Sequence, residues 1–486
     1  MKPIFRKLVT ESSLYSTAPI LRKFVAFLLI PLYTAYLTPS DYGQLEYIIT
    51  ISGFFMIFAS GGLQSGFFRY GYTEVLDTRK TVLFNCLISF FILSIFIFLI
   101  SFFIKDYLFD NIKISYLFLI YLIGAIINEL FSYNLLVLRY QHKAKQYVII
   151  SIFSFLFVVT LNIILIVYFK LGFIGIIYSN LISSTIVFLI FSKLLYNEII
   201  FKFDTKVIKN LFKFGLPLVP GNIAYLLMTM SDRYFLKHFS TTRELGLYSY
   251  GFKFGSLLSA LVIIPFFLGW GPYKWQIFKQ ENAKQIYREV FLYFSNAMLI
   301  IVILFTIVTT FVGSVMSSNP EFRQGLSIVP IILGSFYFLG ITNFQSLGVL
   351  FKEKTYFVSI SLVISAIINV ILNRFLIPHY GMVGASYASL ISSVCYFFIF
   401  FAINQKYYYV SYHFLNLTIN ICFIIVYSSF AFLVKRYNEN LFYFSNLIIF
   451  AIVIIFFVFR FKNKINTVIY SLKRHLNRNS NEANYR

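Results

Sequence analysis

Three basic residues interrupt long apolar stretches of this sequence and could bind an anion: Arg22, Lys23 and Lys253. If these stretches cross a membrane, the helical rise puts Arg22 ~15 Å and Lys253 ~10 Å from the nearer end of its helix. Both then lie near the middle of a ~30 Å apolar core. A charge there costs about 2.5–3.5 kcal/mol and normally faces a cavity. We predict that Arg22 and Lys253 line such a cavity; snorkelling to the interface is the alternative and suits Lys23 best.

Four further ionisable residues lie in apolar surroundings. Arg69 ends the second predicted helix and either attracts an anion or is an ordinary interfacial residue. Glu129 lies ~13 Å along the fourth helix; such carboxylates often couple transport to protons or sodium, although a neutral Glu with a packing role fits equally well. Asp232 and Arg233 are neighbours, which on a helix do not face each other. We expect each to find a partner on another helix, as a gate or as a structural cap.

The composition requires these residues to sit in a membrane protein. The chain has 486 residues, of which 59% are hydrophobic and 12% charged, whereas soluble proteins carry about 25% charged residues. This excludes a soluble enzyme and a disordered protein. The three cysteines lie inside apolar runs and imply neither a disulfide framework nor a metal site.

Hydropathy predicts fourteen membrane-spanning helices joined by short connections, with no segment long enough for a soluble domain. The predicted spans lie near residues 12–37, 44–67, 81–104, 113–138, 147–169, 173–195, 210–234, 246–270, 289–313, 325–350, 356–377, 383–404, 413–434 and 441–460.

The basic residues predict the orientation of these helices. Lys and Arg number 41 against 18 Asp and Glu, and they concentrate in alternate connections and in the C-terminal tail. Because positive residues favour cytoplasmic loops, both termini are predicted to be cytoplasmic. In a membrane protein this excess indicates contact with anionic lipid rather than with nucleic acid.

An internal repeat divides the predicted helices into two lobes. The segment KLGFIGIIYSNLISS at 170–184 recurs 209 positions later as HYGMVGASYASLISS at 379–393, and SDYGQLEY at 40–47 is echoed by RELGLYSY at 243–250. The displacement spans six helices, so both copies keep one orientation, as in transporters whose lobes rock about a central path. A repeat kept only for helix packing is the alternative. The predicted divisions are an N-terminal lobe 1–195, a cytoplasmic linker 196–209, a C-terminal lobe 210–404, helices 13 and 14 in 405–460, and a basic tail 461–486.

Three segments resemble a known family: 28–47, then 211–239 (with FGLPLVP and SDRYFL) followed by 246–254 (with GLYSY), and 369–393. Together they are similar to the polysaccharide transporter branch of the multidrug/oligosaccharidyl-lipid/polysaccharide (MOP) exporter superfamily, which includes the O-antigen and capsule repeat-unit flippases. The resemblance covers helices 1 to 12 and implies an all-α, MATE-like membrane fold with two extra C-terminal helices.

The resemblance also implies a function. It predicts a flippase, not an enzyme, that moves an undecaprenyl pyrophosphate-linked oligosaccharide from the cytoplasmic to the periplasmic leaflet of a bacterial inner membrane by alternating access. Arg22, Lys23, Lys253 and Arg69 would bind the pyrophosphate in a cationic cavity. Glu129 would couple transport to H⁺ or Na⁺, and no other cofactor or metal is expected.

The expected partners are the lipid-linked glycan, membrane lipids, and the polymerase and chain-length proteins of the same pathway. Two alternatives stay open: a cation-coupled drug exporter of the same superfamily, and a membrane glycan polymerase or acyltransferase. A polymerase usually needs a large periplasmic loop, which the short connections do not provide, and the five histidines form no paired acid–base constellation.

Overall fold

The computed structural model describes residues 27–71, 76–278, 280–352, 354 and 356–456, and these form helices without any strand. Twelve described helices are long and apolar enough to cross a membrane. One of them, Tyr356–Tyr407, has 52 residues and contains the non-helical Gly381. A continuous helix of that length would measure ~78 Å, more than twice the apolar core, so it is two spans that meet at Gly381.

A short helix that precedes these spans is the described end of the first predicted helix, which brings the total in the described residues to fourteen. The helices are α1 (Ile30–Tyr36), α2 (Pro39–Gly71), α3 (Thr78–Leu108), α4 (Ile112–Tyr140), α5 (Ala144–Tyr168), α6 (Gly172–Tyr196), α7 (Thr205–Phe239), α8 (Thr242–Gly271), α9 (Ala283–Met316), α10 (Pro320–Phe351), α11 and α12 (Tyr356–Tyr407, before and after Gly381), α13 (Phe414–Tyr437) and α14 (Glu439–Phe456).

The predicted all-helical membrane fold is confirmed, since each predicted span overlaps one of these helices. The residue bounds of the lobes, linker and tail stay predictions. Arg22 and Lys23 lie outside the described residues, as does the basic tail 461–486.

The sequence repeat corresponds to a repeated backbone feature. Gly172 starts α6 with a φ of 57°, and Gly381, 209 positions later, starts α12 with a φ of 52°. This left-handed conformation costs glycine little and other residues more. Both helices therefore begin at a glycine with a positive φ.

The two segments of the weaker repeat, 40–47 and 243–250, lie at the starts of α2 and α8, and these two helices are in contact. Both begin after a threonine whose hydroxyl accepts a backbone N–H three residues on: Thr38 from Asp41, and Thr241 from Glu244, each at 3.1 Å. A turn further, a Cβ added to Gly43 would overlap the carbonyl oxygen of Thr242. The two lobes thus touch backbone to backbone near the start of both helices.

The lobes also touch at the other end of α2. Gly62 has a φ of 67°, and a Cβ added there would overlap the carbonyl oxygen of Gly215, ten positions after the start of α7. The second helix of the first lobe is therefore in close contact with the second lobe at two positions, Gly43 and Gly62.

Candidate functional site

Glu46, on α2, lies at the centre of a group of charged residues between the lobes. The Nζ of Lys253, on α8, is 3.1 Å from one of its carboxylate oxygens, and the Nε of Arg233, on α7, is 3.7 Å from the other. Glu46 is only 7% exposed. One buried carboxylate of the first lobe therefore binds cations from two helices of the second lobe.

Asp232 completes the group on the side of α7. Its carboxylate accepts a hydrogen bond from the hydroxyl of Tyr248, on α8, and lies 3.3 Å from Nη1 of Arg233. The same guanidinium lies 4.7 Å from the ring centroid of Phe252. Both Asp232 and Arg233 do contact another helix. The expectation that the two neighbours would not meet is wrong, because the long arginine side chain folds back onto the adjacent carboxylate.

The described part of the site balances its charges. Lys253 and Arg233 face Glu46 and Asp232, which compensates for the high cost of burying single ions. The sequence predicted a cationic cavity, and this stays a prediction, because Arg22 and Lys23 lie outside the described residues. We call Glu46, Asp232, Arg233 and Lys253 the central charge cluster.

Lys253 differs from the rest of the central charge cluster in its exposure. Its side chain is 40% exposed, whereas those of Glu46 and Arg233 are 9% and 5% exposed. Its ammonium also lies 4.7 Å from the ring centroid of Tyr42. Lys253 can therefore meet a second anion without leaving the cluster.

Glu129 and Arg69 lie apart from this cluster. Glu129, on α4, accepts a 2.7 Å hydrogen bond from the side-chain amide of Gln64, on α2, and the same amide nitrogen is 2.5 Å from the hydroxyl of Ser132. Arg69, at the far end of α2, stacks over the ring of Phe214, on α7, at 4.9 Å. The structure thus brings Lys253, Asp232 and Arg233 together and places Glu129 and Arg69 elsewhere.

Comparison with known proteins gives one family match and several similar folds. Residues 35–266 match the model of a family described as polysaccharide biosynthesis proteins. The solved structure of the lipid II flippase MurJ, in an inward closed conformation, matches with a TM-score of 0.71 and 16% identity over 93% of this chain and 99% of MurJ. This is the MOP-superfamily fold. The resemblance found in the sequence is confirmed.

MATE transporters share the MOP fold at greater distance. A mutant of the Vibrio cholerae MATE transporter VcmN matches with a TM-score of 0.56 and 14% identity. An inward-facing multidrug resistance MATE transporter of the MOP superfamily matches with a TM-score of 0.58 and 14% identity. Each alignment covers 82% of this chain and 96% of the other. No curated protein matches the sequence.

Sequence reasoning missed Glu46, the residue that links the lobes of this MOP fold. Hydropathy started α2 at residue 44, which put Glu46 at the membrane surface. The structure starts α2 at Pro39, after Thr38, and the side chain of Asp41 accepts the N–H of Thr38 at 3.1 Å. This capping box, with proline at the first helical position, is readable in the sequence. It would have placed Glu46 ~10 Å inside the helix.

The described residues contain no group of three or more His, Cys, Asp or Glu side chains that could hold a metal ion. The carboxylates of the central charge cluster are instead engaged by Lys253, Arg233 and Tyr248. The cluster can exchange charged partners and move protons, and it contains no nucleophile paired with a base.

Proposed function

We propose that the protein transports a polyprenyl pyrophosphate-linked oligosaccharide from the cytoplasmic to the periplasmic leaflet of a bacterial inner membrane by alternating access. The substrate would be an undecaprenyl-linked repeat unit of O-antigen or a similar surface polysaccharide. The observation that carries the proposal is the ion pair between the buried Glu46 and the partly exposed Lys253, which joins two lobes of a MOP fold. The polysaccharide biosynthesis family match supports the substrate class.

The physical task of such a transporter fits a charge cluster better than an enzyme site. Each sugar hydroxyl left without a partner costs several kcal/mol in hydrocarbon, and a phosphate charge costs far more. The polyprenyl tail is apolar and meets no such barrier. The protein has only to shelter the head group while the tail stays in lipid, so no bond need be broken.

The central charge cluster provides a way to link binding to movement. In the present state Glu46 neutralises Lys253, so an entering pyrophosphate would compete with Glu46 for the exposed ammonium. Charge-assisted hydrogen bonds to phosphate are strong. Once Lys253 binds the substrate, its bridge to α2 weakens and the lobes can separate. The substrate thereby favours one conformation by differential binding.

The remaining residues take subsidiary roles in this proposal. Arg22 and Lys23 would add positive charge to the cavity, and Arg69, stacked on α7, would attract the incoming head group. Glu129 would bind and release the H⁺ or Na⁺ whose gradient drives transport. Asp232 and Arg233 would form the gate between the lobes. The polymerase and chain-length proteins of the same pathway would receive the product.

A second candidate function rests on the carboxylates of the same cluster. Glu46 and Asp232, beside the rings of Tyr42 and Tyr248, could bind an organic cation as in a drug exporter. The MATE structures show that the fold supports multidrug transport. We favour the lipid-linked glycan because Lys253 is more exposed than either carboxylate.

Deletion of the protein in its native host tests the proposal. We expect lipid-linked glycan to accumulate in the inner leaflet and surface glycan to be lost. Wild-type protein and Arg243→Gln should restore export, and Lys253→Gln should not, at equal amounts of protein in the membrane. Arg243 is a matched control because its partner Glu321, at 3.2 Å, belongs to the same lobe and the pair is exposed.

Normal surface glycan in the deletion strain, or in cells that carry Lys253→Gln alone, would overturn the proposal. Loss of organic-cation efflux with unchanged glycan would identify the drug exporter instead.

A further inference from the structure

A polar cavity of about 790 Å³ lies in the second lobe. It is on the face that the distribution of Lys and Arg predicts to be the outer one. Its wall is formed by the ends of α7 and α13, the starts of α8, α10 and α14, and the α11–α12 turn at Gly381. On α7, its lining begins at Phe239, seven positions or ~10 Å beyond Asp232. The cavity is therefore separate from the central charge cluster, and we call it the outer cavity.

The outer cavity gathers three cations. Arg323 comes from α10, and Lys435 and Arg436 come from the last turn of α13. Lys435 pairs with Glu439 and its side chain is only 7% exposed. Arg323 and Arg436 are both exposed, and neither forms an ion pair with any of the described residues.

The two carboxylates of the outer cavity are already engaged. Glu244 accepts hydrogen bonds from the hydroxyl of Ser240 at 2.8 Å and from the backbone N–H of Met382, at the start of α12, at 3.0 Å. Its charge thus stabilises the N-terminus of that helix. Glu439 binds Lys435 and the hydroxyl of Ser314. Neither carboxylate forms an ion pair with Arg323 or Arg436.

Two arginines in one outer cavity run against the usual charge distribution of membrane proteins, in which cations favour the cytoplasmic side. The planar guanidinium matches phosphate with two parallel hydrogen bonds. Gln324 and Ser327 also line the cavity. The amide oxygen of Gln324 accepts from Arg243 and the hydroxyl of Ser327 donates to the backbone, so they offer sugar an amide N–H donor and a hydroxyl oxygen acceptor. The volume lies within the range of ligand pockets.

We propose that the outer cavity binds the phosphate groups of a lipid head group through Arg323 and Arg436, and that its ligand is the pyrophosphate of the transported lipid after crossing. This assignment of the ligand rests on the proposed function. The outer cavity would hold the head group beyond the central charge cluster, so that Lys253 can pair with Glu46 again before the product leaves.

Binding of undecaprenyl pyrophosphate to the full-length protein in phosphatidylcholine nanodiscs tests this site. Wild-type protein is compared with Arg323→Gln/Arg436→Gln and with Lys113→Gln/Lys170→Gln, which removes two exposed cations from the same predicted face of the first lobe. The affinity of all three proteins is also measured with Lys253→Gln added, so that binding at the outer cavity is distinguished from binding at the central charge cluster. When Lys253→Gln is present, we expect Arg323→Gln/Arg436→Gln to weaken binding at least about tenfold. Lys113→Gln/Lys170→Gln should leave the affinity unchanged.

Two further arms identify the ligand. Arg323→Lys/Arg436→Lys keeps the charge but loses the paired hydrogen bonds, so its affinity should be intermediate. Phosphatidylglycerol and inorganic pyrophosphate should bind more weakly than undecaprenyl pyrophosphate; equal binding of either would overturn the assignment to the transported lipid. If Arg323→Gln/Arg436→Gln and Lys113→Gln/Lys170→Gln bind undecaprenyl pyrophosphate with equal affinity, the outer cavity is not a binding site. The proposed function would fail separately, through normal export by Lys253→Gln.

Discussion

Two carboxylates within the membrane-spanning helices, Glu46 and Glu129, differ in the chemistry of their partners. Glu46 lies within 3.1 Å of Lys253 and 3.7 Å of Arg233, both from the other lobe. Glu129 accepts a 2.7 Å hydrogen bond from the neutral amide of Gln64, in its own lobe, and no described cation lies within ion-pair distance.

Because of this difference, Glu46 links the two lobes through its charge, whereas Glu129 can change its charge without breaking a contact between lobes. Protonation of Glu46 would leave Lys253 facing Arg233 across a buried carboxylic acid, which is costly. An amide donor serves a carboxylate and a carboxylic acid oxygen alike, so Glu129 can gain or lose a proton and keep Gln64. The lobe contact therefore depends on the charge of Glu46, and of the two carboxylates Glu129 is the one that suits the ion coupling we propose.

The largest expected effect is that of Glu46→Gln. Removal of one partner from a buried ion pair costs about 3–5 kcal/mol, because the other charge is left unpaired. Because Lys253 is 40% exposed and Arg233 keeps Asp232 as a partner, we expect the lower end of that range, about 3 kcal/mol, in the free energy of unfolding of the purified protein. Glu129→Gln, in the same assay, should change it by less than about 1 kcal/mol, because a neutral hydrogen bond is worth about that much.

The double variant Glu46→Gln/Lys253→Met serves as the control. It removes both charges of the bridge, so it should be more stable than the sum of the two single changes predicts. Strictly additive losses would show that Glu46 and Lys253 do not interact, and the comparison between the two carboxylates would fail.

A smaller effect is expected from Gly43→Ala, which tests what holds Glu46 in reach of Lys253. The added methyl would overlap the carbonyl oxygen of Thr242, so α2 and α8 must separate. Overpacking of this kind costs about 1–3 kcal/mol. In a free-energy measurement Gly53→Ala is the matched control, because its Cβ would lie 3.6 Å from Leu226, an ordinary contact.

Combination with Glu46→Gln sharpens this test. If the glycine contact acts by positioning Glu46, Gly43→Ala should cost less in a protein that already lacks the carboxylate. The same cost in both backgrounds would mean that the contact and the ion pair are independent.

Most of the fold could be predicted because long apolar segments in a membrane protein have few alternatives to helices. The helix starts were less accurate, for a physical reason. Hydropathy began α2, α7 and α8 at 44, 210 and 246, whereas they begin at Pro39, Thr205 and Thr242. Each is preceded by a polar N-cap, Thr38, Asp204 or Thr241, and polar first turns lower the local hydropathy.

The site was harder to predict because hydropathy does not say which helix faces which. The repeat held more information: at the displacement of 203, Glu46 corresponds to Ser249, one helical turn before Lys253. If α2 and α8 face each other as equivalent helices, Lys253 lies one turn from the position opposite Glu46, within reach of a lysine side chain. The bend of Arg233 onto Asp232 could not be found this way, since it depends on a side-chain rotamer.

The smallest expected change in stability, that of Glu129→Gln, carries the sharpest functional prediction. Gln is nearly the same size and its amide oxygen can still accept from Gln64, so the fold and the contact with α2 should persist. A permanently neutral side chain cannot exchange H⁺, and it lacks the negative charge that attracts Na⁺. We therefore expect export in cells to become insensitive to dissipation of the proton or sodium gradient, and slower at full gradient.

Ser132→Ala is the control for this last prediction, because Ser132 shares the amide of Gln64 but carries no charge. It should leave the gradient dependence of export as in the wild type. If Glu129→Gln keeps the full gradient dependence, Glu129 has only a packing role. The group that responds to the ion would then have to be sought in the central charge cluster, where Asp232 is the carboxylate that does not bridge the lobes.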